Sequence, residues 1–240
     1  MRAIKAGILS KDGFRVTDEG VPQGSPLSPV LSNIYAHYVI DIWVERVVNP
    51  LCRRPVSVFR YADDFVILCQ SKEDANLALE RIKGRLEECG LSMNECKTKV
   101  VPFSKHRASR GEKQGTYSFL GFEFYIGRSR NGRYIQKVKT AGKRLSHKLK
   151  LVSEWCRKNR HKAQLLELWN RFRMKLAGHI NYYSVSFNID WVGKFRDQAI
   201  KAFFKWMNRR SQRKSFTWAK FTLFLKAYPP PKVRIVHRLF

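Results

Sequence analysis

Residues 59–68 read FRYADDFVIL, and they place two adjacent aspartates, Asp63 and Asp64, between two runs rich in β-branched and aromatic residues. Such runs on either side of a short polar segment predict a β-hairpin with the aspartates at its tip. Because the flanking residues are apolar, we expect largely buried strands, and an ordinary solvated turn is the less favoured interpretation. The stretch therefore predicts an antiparallel sheet that holds two carboxylates in a fixed position.

Two helices are predicted around this hairpin. Apolar residues recur at helical spacing over residues 30–48, which predicts a long helix with Pro29 in its first turn. After the hairpin, Ser71 and Asp74 form the pattern of a capping box, and Gly90 marks the end of the helix that they begin. The predicted order is therefore helix, hairpin, helix.

The pattern changes further along the chain. Strands are predicted at residues 98–103, 117–125 and 134–138, with a charged, glycine-containing loop between the first two. Basic amphipathic helices are predicted at residues 143–160, 163–183, 190–210 and 216–227. The sequence therefore predicts an α+β domain over residues 1–138 and an all-α, basic domain over residues 139–240.

The chain has a formal net charge of +28, with 47 Lys and Arg residues against 19 Asp and Glu residues. Residues 1–103 hold 14 basic and 13 acidic residues, whereas residues 104–240 hold 33 and 6. A basic half can bind nucleic acid, an anionic membrane or an acidic protein, or can be no more than a solvated face. Aromatic residues interleave with the basic ones, as at Trp191, Phe195 and Trp206, and this favours nucleic acid.

The remaining composition argues against a secreted, membrane or zinc-binding protein. The five cysteines include no CxxC pair, and no histidines stand at zinc-finger spacing to them. An odd number of cysteines indicates reduced thiols in the cytosol. Every apolar run is short and interrupted by charge, so no signal peptide or transmembrane segment is predicted. We therefore expect a cytoplasmic protein with no membrane partner.

The acidic hairpin suits one chemistry in particular. Asp oxygens are hard ligands for Mg²⁺, which prefers one or two carboxylates together with phosphate oxygens and water. Two such ions can activate a 3′-hydroxyl and stabilise the leaving pyrophosphate in an in-line displacement. Chemistry of this kind depends on positioning, which a tight hairpin supplies. Asp63 and Asp64 are therefore predicted to be the catalytic, metal-binding pair of a two-metal Mg²⁺ site.

Several blocks of the sequence resemble those of a known enzyme family, in the same order and at similar spacing. Residues 61–64, YADD, resemble the YxDD box of reverse transcriptases in the form usual for group II intron enzymes. Further blocks similar to the family's motifs are GVPQGSPLSP at 20–29, GLSMN at 90–94 with KTK at 97–99, and FLGF at 119–122. GHINYY at 178–183 and the tail from residue 206 resemble the maturase, or thumb, domain of group II intron proteins. The resemblance covers essentially the whole chain and implies a partial right-hand polymerase palm, an antiparallel sheet with helices, followed by an all-α basic thumb.

The resemblance also implies roles for individual residues. Asp63 and Asp64 would ligate the metal ions, and Lys97 would protonate pyrophosphate as a general acid, although a solvated loop lysine is a nearly equal interpretation. The residues implied to bind the dNTP, the RNA template or the DNA primer are Gln23, Gly24, Ser25, Tyr61, Phe119, Leu120 and Gly121. Among these, Tyr61 is interpreted as a packing and positioning residue.

The family's palm also uses a third carboxylate on an earlier strand and a finger subdomain that holds the triphosphate. Asp12, Asp18 and Glu19 do not lie in the strand-plus-aromatic context expected for that carboxylate. We therefore expect the chain to be the C-terminal part of a reverse transcriptase, weak or inactive alone, and completed by a separately encoded N-terminal piece.

Contacts to RNA are predicted in the basic half, where Lys and Arg contacts to phosphates dominate affinity. The predicted RNA-binding residues are Arg128, Arg130 and Arg133 in a glycine-containing turn, and Arg209, Arg210, Arg213 and Lys214 in the densest basic cluster. The aromatic side chains predicted to lie in the core are Trp155, Trp169, Tyr182 and Trp191, and His179 is predicted to be packed among them.

The function favoured by these observations is RNA-directed DNA polymerisation of the group II intron type. The same protein would bind intron RNA and assist its splicing within a bacterial ribonucleoprotein. The alternative is a non-catalytic, RNA-binding maturase fragment. A reverse transcriptase domesticated for defence or repeat acquisition is a weaker alternative, because the block at residues 178–183 resembles that of maturases.

Overall fold

The computed structural model describes residues 8–10, 13–15, 26–210 and 217–239. The chain divides into two compact units, the first ending at Pro102 and the second beginning at Phe103. The three-stranded sheet over residues 117–140 therefore belongs to the same compact unit as the basic helices, and the domain boundary after residue 138 remains a prediction. Within the described ranges, none of the helices is long and apolar enough to cross a membrane.

The first unit contains a long helical segment over residues 28–51, here called the rod, followed by a hairpin and a second helix. Its elements are β1 (Ile8–Ser10), β2 (Gly13–Arg15), α1 (Ser28–Ala36), two π-helical segments (His37–Ile42 and Val44–Val48), α2 (Asn49–Leu51), β3 (Ser57–Tyr61), β4 (Asp64–Leu68) and α3 (Lys72–Glu88). Strands β1 and β2 pair in antiparallel fashion, and so do β3 and β4. The fold of this unit agrees with the mixed helix and antiparallel-sheet class predicted for a partial palm.

The predicted long helix forms, with Pro29 in its first turn. Its second half is π-helical, and π-type hydrogen bonds span five residues instead of four. Ile40, Val44 and Val48 are therefore buried at a spacing of four. The apolar side chains of Val30 and Ile34, near the start of the helix, are 55% and 51% exposed.

Helix α3 begins and ends where its sequence predicts. The Ser71 hydroxyl accepts a hydrogen bond from the Asp74 amide at 3.0 Å, which satisfies a donor of the first turn. At the other end Gly90 has φ +70°, and the Leu91 amide donates to the Leu86 carbonyl at 2.8 Å. The buried core of this unit consists of Val39, Ile40, Val44, Val48, Val56, Ala78, Ile82 and Leu86.

In its described residues, the second unit combines a three-stranded sheet with five helices. Its elements are α4 (Lys105–Ser109), β5 (Tyr117–Phe119), β6 (Phe122–Arg128), β7 (Tyr134–Thr140), α5 (Gly142–Asn159), α6 (Leu165–Tyr183), α7 (Ile189–Met207) and α8 (Trp218–Ala227). The strands pair in the antiparallel order β5-β6-β7. The four long basic helices predicted from periodicity are thus present within three residues of their predicted limits.

Three local predictions near this sheet are wrong. No strand forms over residues 98–103, because Thr98 is tied back to the Asn94 carbonyl through its amide at 3.0 Å and its hydroxyl at 2.9 Å. The charged segment that was predicted to be a loop contains α4, whose first turn is capped by the Ser104 hydroxyl. The strand predicted at residues 117–125 is two strands that reverse direction at Leu120 and Gly121.

Aromatic side chains fill the core of the helices. Trp169 is fully buried, stacks on Phe172 with ring centroids 5.4 Å apart, and donates its indole N–H to the Tyr228 carbonyl at 2.9 Å. The predictions that Trp169 and His179 are buried are confirmed, whereas Tyr182 is 50% exposed. Trp155 and Trp191 pack against this core and are partly buried.

A buried polar group joins the sheet to the helices. The Asn188 side chain accepts a hydrogen bond from the Thr140 amide at 2.6 Å and donates to the Tyr183 carbonyl at 2.8 Å. Asn188 is fully buried and Thr140 is 1% exposed. Because buried backbone groups need partners, this amide fixes the end of β7 against the start of α7.

Candidate functional site

The predicted acidic hairpin is present and has a two-residue loop. Tyr61 and Asp64 are the last paired residues of β3 and β4, so Ala62 and Asp63 alone form the turn. Ala62 has φ +54°, in a region that two-residue turns require and that Gly or Asn usually fills. An alanine there costs about 1–2 kcal/mol, and strain of this kind persists where surrounding contacts hold the backbone.

The aspartates lie at an exposed tip. Both Asp63 and Asp64 are exposed, and within the described part of the chain neither carboxylate takes part in a hydrogen bond or ion pair. Asp64 lies directly opposite Tyr61 across the strand pair, so its side chain is on the same face as that of Tyr61, which is 66% exposed. The carboxylates are therefore open to a ligand.

The expectation that the hairpin strands are largely buried is wrong. Phe59, Tyr61 and Leu68 lie on one face of the two-stranded ribbon and are 53%, 66% and 45% exposed. The other face carries Val58, Phe65 and Ile67, which pack against the core of the first unit. A continuous apolar run cannot distinguish a strand buried on both faces from one that buries a single face.

Arg60 lies on the inner face, directly before the YADD residues, and binds the helical rod. Its Nε and Nη2 atoms donate to Asp41 Oδ1 and Oδ2, each at 2.7 Å. Its Nη1 atom donates to Asn33 Oδ1 at 3.1 Å and to the Ala62 carbonyl oxygen at 3.0 Å. His37 Nδ1 lies 3.1 Å from Asp41 Oδ2. One guanidinium group thus connects two positions of the rod with the turn.

This pairing perturbs both ionisable groups. Hydrogen bonds from Arg60 are the main cause that lowers the pKa of Asp41, and those bonds in turn raise the pKa of Arg60. Sequence reasoning missed Asp41, Arg60 and Asn33. The available signals were an arginine inside an otherwise apolar strand and an aspartate four residues after a histidine in a helix.

Lys97 is exposed and lies in a turn beyond α3, where its amide donates to the Asn94 carbonyl at 3.1 Å. Within the described residues, no hydrogen bond joins the Lys97 side chain to either hairpin aspartate. Gln23, Gly24 and Ser25 lie outside the described residues, as do Asp12, Asp18 and Glu19. The roles of all these residues remain predictions.

The FLGF block forms the tip of the β5–β6 hairpin in the second unit. Leu120 and Gly121 have φ values of +51° and +85°, and the exposed Tyr182 donates its hydroxyl to the Leu120 carbonyl at 2.8 Å. A Cβ atom at Gly121 would lie 2.7 Å from Arg144 Nη1 and 2.7 Å from Tyr183 Oη. The tip is therefore held closely by α5 and by the end of α6, where the GHINYY block lies.

The predicted RNA-binding residues fall in two places. Arg128, Arg130 and Arg133 are exposed at the β6–β7 turn, and the Arg128 guanidinium lies 5.2 Å from the centre of the Tyr134 ring. At the end of α7, Arg210 donates to the Ala163 carbonyl at 2.7 Å. Arg213 and Lys214 lie outside the described residues.

Trp206 is the centre of a basic cluster that sequence reasoning only partly identified. The charged groups of Arg160, Lys205 and Arg209 lie 5.5, 5.6 and 5.3 Å from its ring centre. The Trp206 indole N–H donates to Ser153 Oγ at 2.8 Å, which fixes the ring. Aromatic rings and cations together bind nucleic-acid bases and phosphates. Arg160 was missed because it follows α5, which is distant in sequence from α7, and Lys205 was missed although it is adjacent to Trp206 in the sequence.

Comparison with known proteins identifies a family and two relatives that are similar to parts of the chain. Residues 4–124 match the family described as reverse transcriptase (RNA-dependent DNA polymerase). The chain is 31% identical to Protein YkfC of Escherichia coli (strain K12) over 41% of this chain and 33% of that protein. It is 29% identical to the Retrovirus-related Pol polyprotein from type-1 retrotransposable element R2 of Nasonia vitripennis, over 50% of this chain and 12% of that protein. The chain thus matches a third or less of the length of either relative.

Proposed function

The chain belongs to the reverse transcriptase (RNA-dependent DNA polymerase) family, and on that premise we propose that it is an RNA-directed DNA polymerase of the group II intron type. It would add deoxynucleotides to a 3′-hydroxyl on an RNA template. The observation that carries the proposal is the pair of unengaged carboxylates, Asp63 and Asp64, at a two-residue turn. The match to a retrotransposon Pol polyprotein supports a relation to mobile elements.

The donors at the hairpin tip fit Mg²⁺. Asp63 and Asp64 supply hard oxygen atoms that are exposed and have no other partner in the described part of the chain. Mg²⁺ is commonly bound by one or two carboxylates, with substrate phosphates and water completing its coordination. Mg²⁺ bound there would lower the pKa of the attacking hydroxyl and neutralise charge on the leaving pyrophosphate.

A third carboxylate completes the site that the resemblance implies. Within the described residues, no group of three or more His, Cys, Asp and Glu side chains is placed to hold a metal ion. In the proposed enzyme this carboxylate comes from outside the described residues, in a longer chain or in a separately encoded N-terminal piece. Asp63 and Asp64 would then hold their half of the site in advance of assembly.

The remaining predicted residues have binding roles in this proposal. Gln23, Gly24 and Ser25 would line the dNTP and template pocket, and Lys97 would protonate the pyrophosphate. The tip formed by Leu120 and Gly121 would support the primer strand, since its backbone accepts a hydrogen bond from Tyr182 and lies close to the Arg144 and Tyr183 side chains.

The helices of the second unit would act as the thumb and would bind RNA. Residues 104–240 carry 33 basic and 6 acidic residues, and the cluster around Trp206 combines three cations with an aromatic ring. Such surfaces bind nucleic acid with a strong dependence on salt concentration. We propose that intron RNA binds here, that the protein assists its splicing, and that the two form a ribonucleoprotein in the bacterial cytoplasm.

The experiment is primer extension on an RNA template with Mg²⁺, comparing the wild-type protein with Asp63→Asn, each supplied with the reverse transcriptase segment that carries the third carboxylate. Glu80→Gln is the matched control, because Glu80 is an exposed acid of α3 without an ion pair in the described part of the chain. We expect extension by the wild type and the control and only background extension by Asp63→Asn. Equal extension by all three proteins would refute the assignment of Asp63.

The net charge of the second half favours one alternative, a non-catalytic RNA-binding protein. RNA binding measured across a salt series separates the two functions. Tight, salt-sensitive binding by every variant, together with no extension by the wild type, would support the RNA-binding alternative. Extension that requires Asp63 would exclude it.

A further inference from the structure

Nearly all of the hydrogen-bond donors of the Arg60 guanidinium are used, although Arg60 lies beside an exposed turn. Its side chain is 10% exposed, and four of its five N–H groups donate to Asp41, Asn33 and Ala62. Asp41 lies in the first π-helical segment of the rod, and Asn33 lies in α1. The contacts therefore converge on the turn from two places in the rod.

The contact to Ala62 bears directly on Asp63. The carbonyl of Ala62 and the amide nitrogen of Asp63 belong to the same planar peptide unit. A hydrogen bond of 3.0 Å from Arg60 to that carbonyl therefore restricts rotation of the plane from which the Asp63 side chain departs. The same plane follows the residue with φ +54°, which without external contacts would favour another conformation.

Asp41 in turn fixes the guanidinium. The two parallel hydrogen bonds of 2.7 Å define both the position and the plane of the guanidinium group, as is typical of bidentate arginine–carboxylate pairs. Once the plane is defined, Nη1 can point only toward Asn33 and Ala62. A lysine at residue 60 would supply a single ammonium group and could not make these contacts together.

From these contacts we propose that Arg60, oriented by Asp41, is a positioning residue for the metal-binding carboxylate of Asp63. Neither residue touches the metal or the substrate. The pair acts through the Ala62–Asp63 peptide plane, and it sets the direction of the carboxylate before any ligand binds. This proposal rests on the proposed function, because it assumes that Asp63 is a metal ligand.

The test measures binding of Mn²⁺ alone, as a paramagnetic substitute for Mg²⁺, by electron paramagnetic resonance. The variants are Arg60→Lys and Asp41→Asn, with Arg54→Lys as the control at an exposed arginine. Residues that orient metal ligands typically change metal affinity by about 10–100-fold, so we expect Mn²⁺ binding to be about tenfold weaker in the two variants and unchanged in the control. Ala62→Gly keeps the carbonyl that Arg60 contacts and adopts φ +54° without strain, so its Mn²⁺ affinity should also be unchanged.

A double-variant cycle separates positioning from a merely structural role. If Arg60 acts through Asp63, Arg60→Lys will weaken Mn²⁺ binding in the wild-type background and will have no further effect in Asp63→Ala. Additive losses would overturn the proposal, and so would unchanged Mn²⁺ affinity in Arg60→Lys when Asp63→Ala binds weakly. If Mn²⁺ binding does not depend on Asp63 at all, the proposed function itself is overturned together with the positioning role.

Discussion

His179 gives the second unit a built-in sensitivity to acid. Its ring is 9% exposed and stacks on Phe195 and Tyr183, with centroids 3.6 and 4.7 Å away. Its Nε2 atom is buried and has no hydrogen-bond partner among the residues that the structure describes. Burial, with a smaller contribution from Lys148, lowers the pKa of His179 from the ordinary 6.5 to about 3.

The expected effect on stability follows from this difference. The unfolded chain binds a proton at His179 near pH 6.5, whereas the folded chain binds it only near pH 3. The contribution of His179 to stability is therefore complete above pH 6.5 and is lost as the pH falls. Between pH 8 and pH 5 the loss is about 2 kcal/mol, since each pH unit below the unfolded pKa costs about 1.4 kcal/mol.

The assay is thermal unfolding at pH 8 and pH 5 for the wild type and for His179→Phe, which keeps a flat ring between Phe195 and Tyr183. A difference of about 2 kcal/mol corresponds to roughly 4–8 °C in Tm. We expect this pH-dependent shift in the wild type and in the exposed-histidine control His147→Gln, but not in His179→Phe. The same shift in His179→Phe would refute the reasoning, whatever the variant's absolute stability.

Two further predictions concern the packing of single residues. Gly121→Ala should destabilise the protein by about 1–3 kcal/mol, because φ is +85° and the new Cβ would lie 2.7 Å from Tyr183 Oη; Gly84→Ala, in open space within α3, should stabilise by up to about 1 kcal/mol. Equal urea midpoints for these two variants would contradict the view that Gly121 is crowded and Gly84 is not. Asn188→Ala should cost about 2–4 kcal/mol, because it removes the hydrogen-bond partner of the buried Thr140 amide and hydroxyl. The exposed control Asn181→Ala should change stability by less than about 0.5 kcal/mol in the same urea titration, and an equally small effect of Asn188→Ala would contradict this account.

Local sequence signals predicted much of this fold. The YADD hairpin, the Ser71 cap and the Gly90 stop of α3 depend on contacts between residues close in sequence, and all three are present. The four basic helices could also be predicted, because their apolar periodicity is long and regular, and all four are present. Elements of this kind are specified by residues within one or two turns.

Features that depend on distant partners could not be predicted in this way. Residues 98–103 have strand composition but do not pair with a strand among the described residues, and Thr98 is bound back to Asn94 instead. The exposed faces of the hairpin and of α1 depend on which element packs against them. The Arg60–Asp41 pair joins residues nineteen positions apart, and no periodicity reveals it. The sequence therefore predicted the two aspartates of the candidate site but not the Arg60–Asp41 pair that contacts their turn.

The two π-helical segments bear on how this chain tolerates insertions and deletions. Each residue of an α-helix advances it by about 100°, so removal of one residue from a purely α-helical rod would rotate everything before the cut by that angle relative to everything after it. A π-type turn already holds an extra residue, and it can lose that residue by reverting to an α-type turn. A one-residue deletion between residues 37 and 48 would therefore be absorbed there, and the segments on either side would keep their phase. Asn33 would then stay within reach of Arg60, so the hairpin would keep this partner.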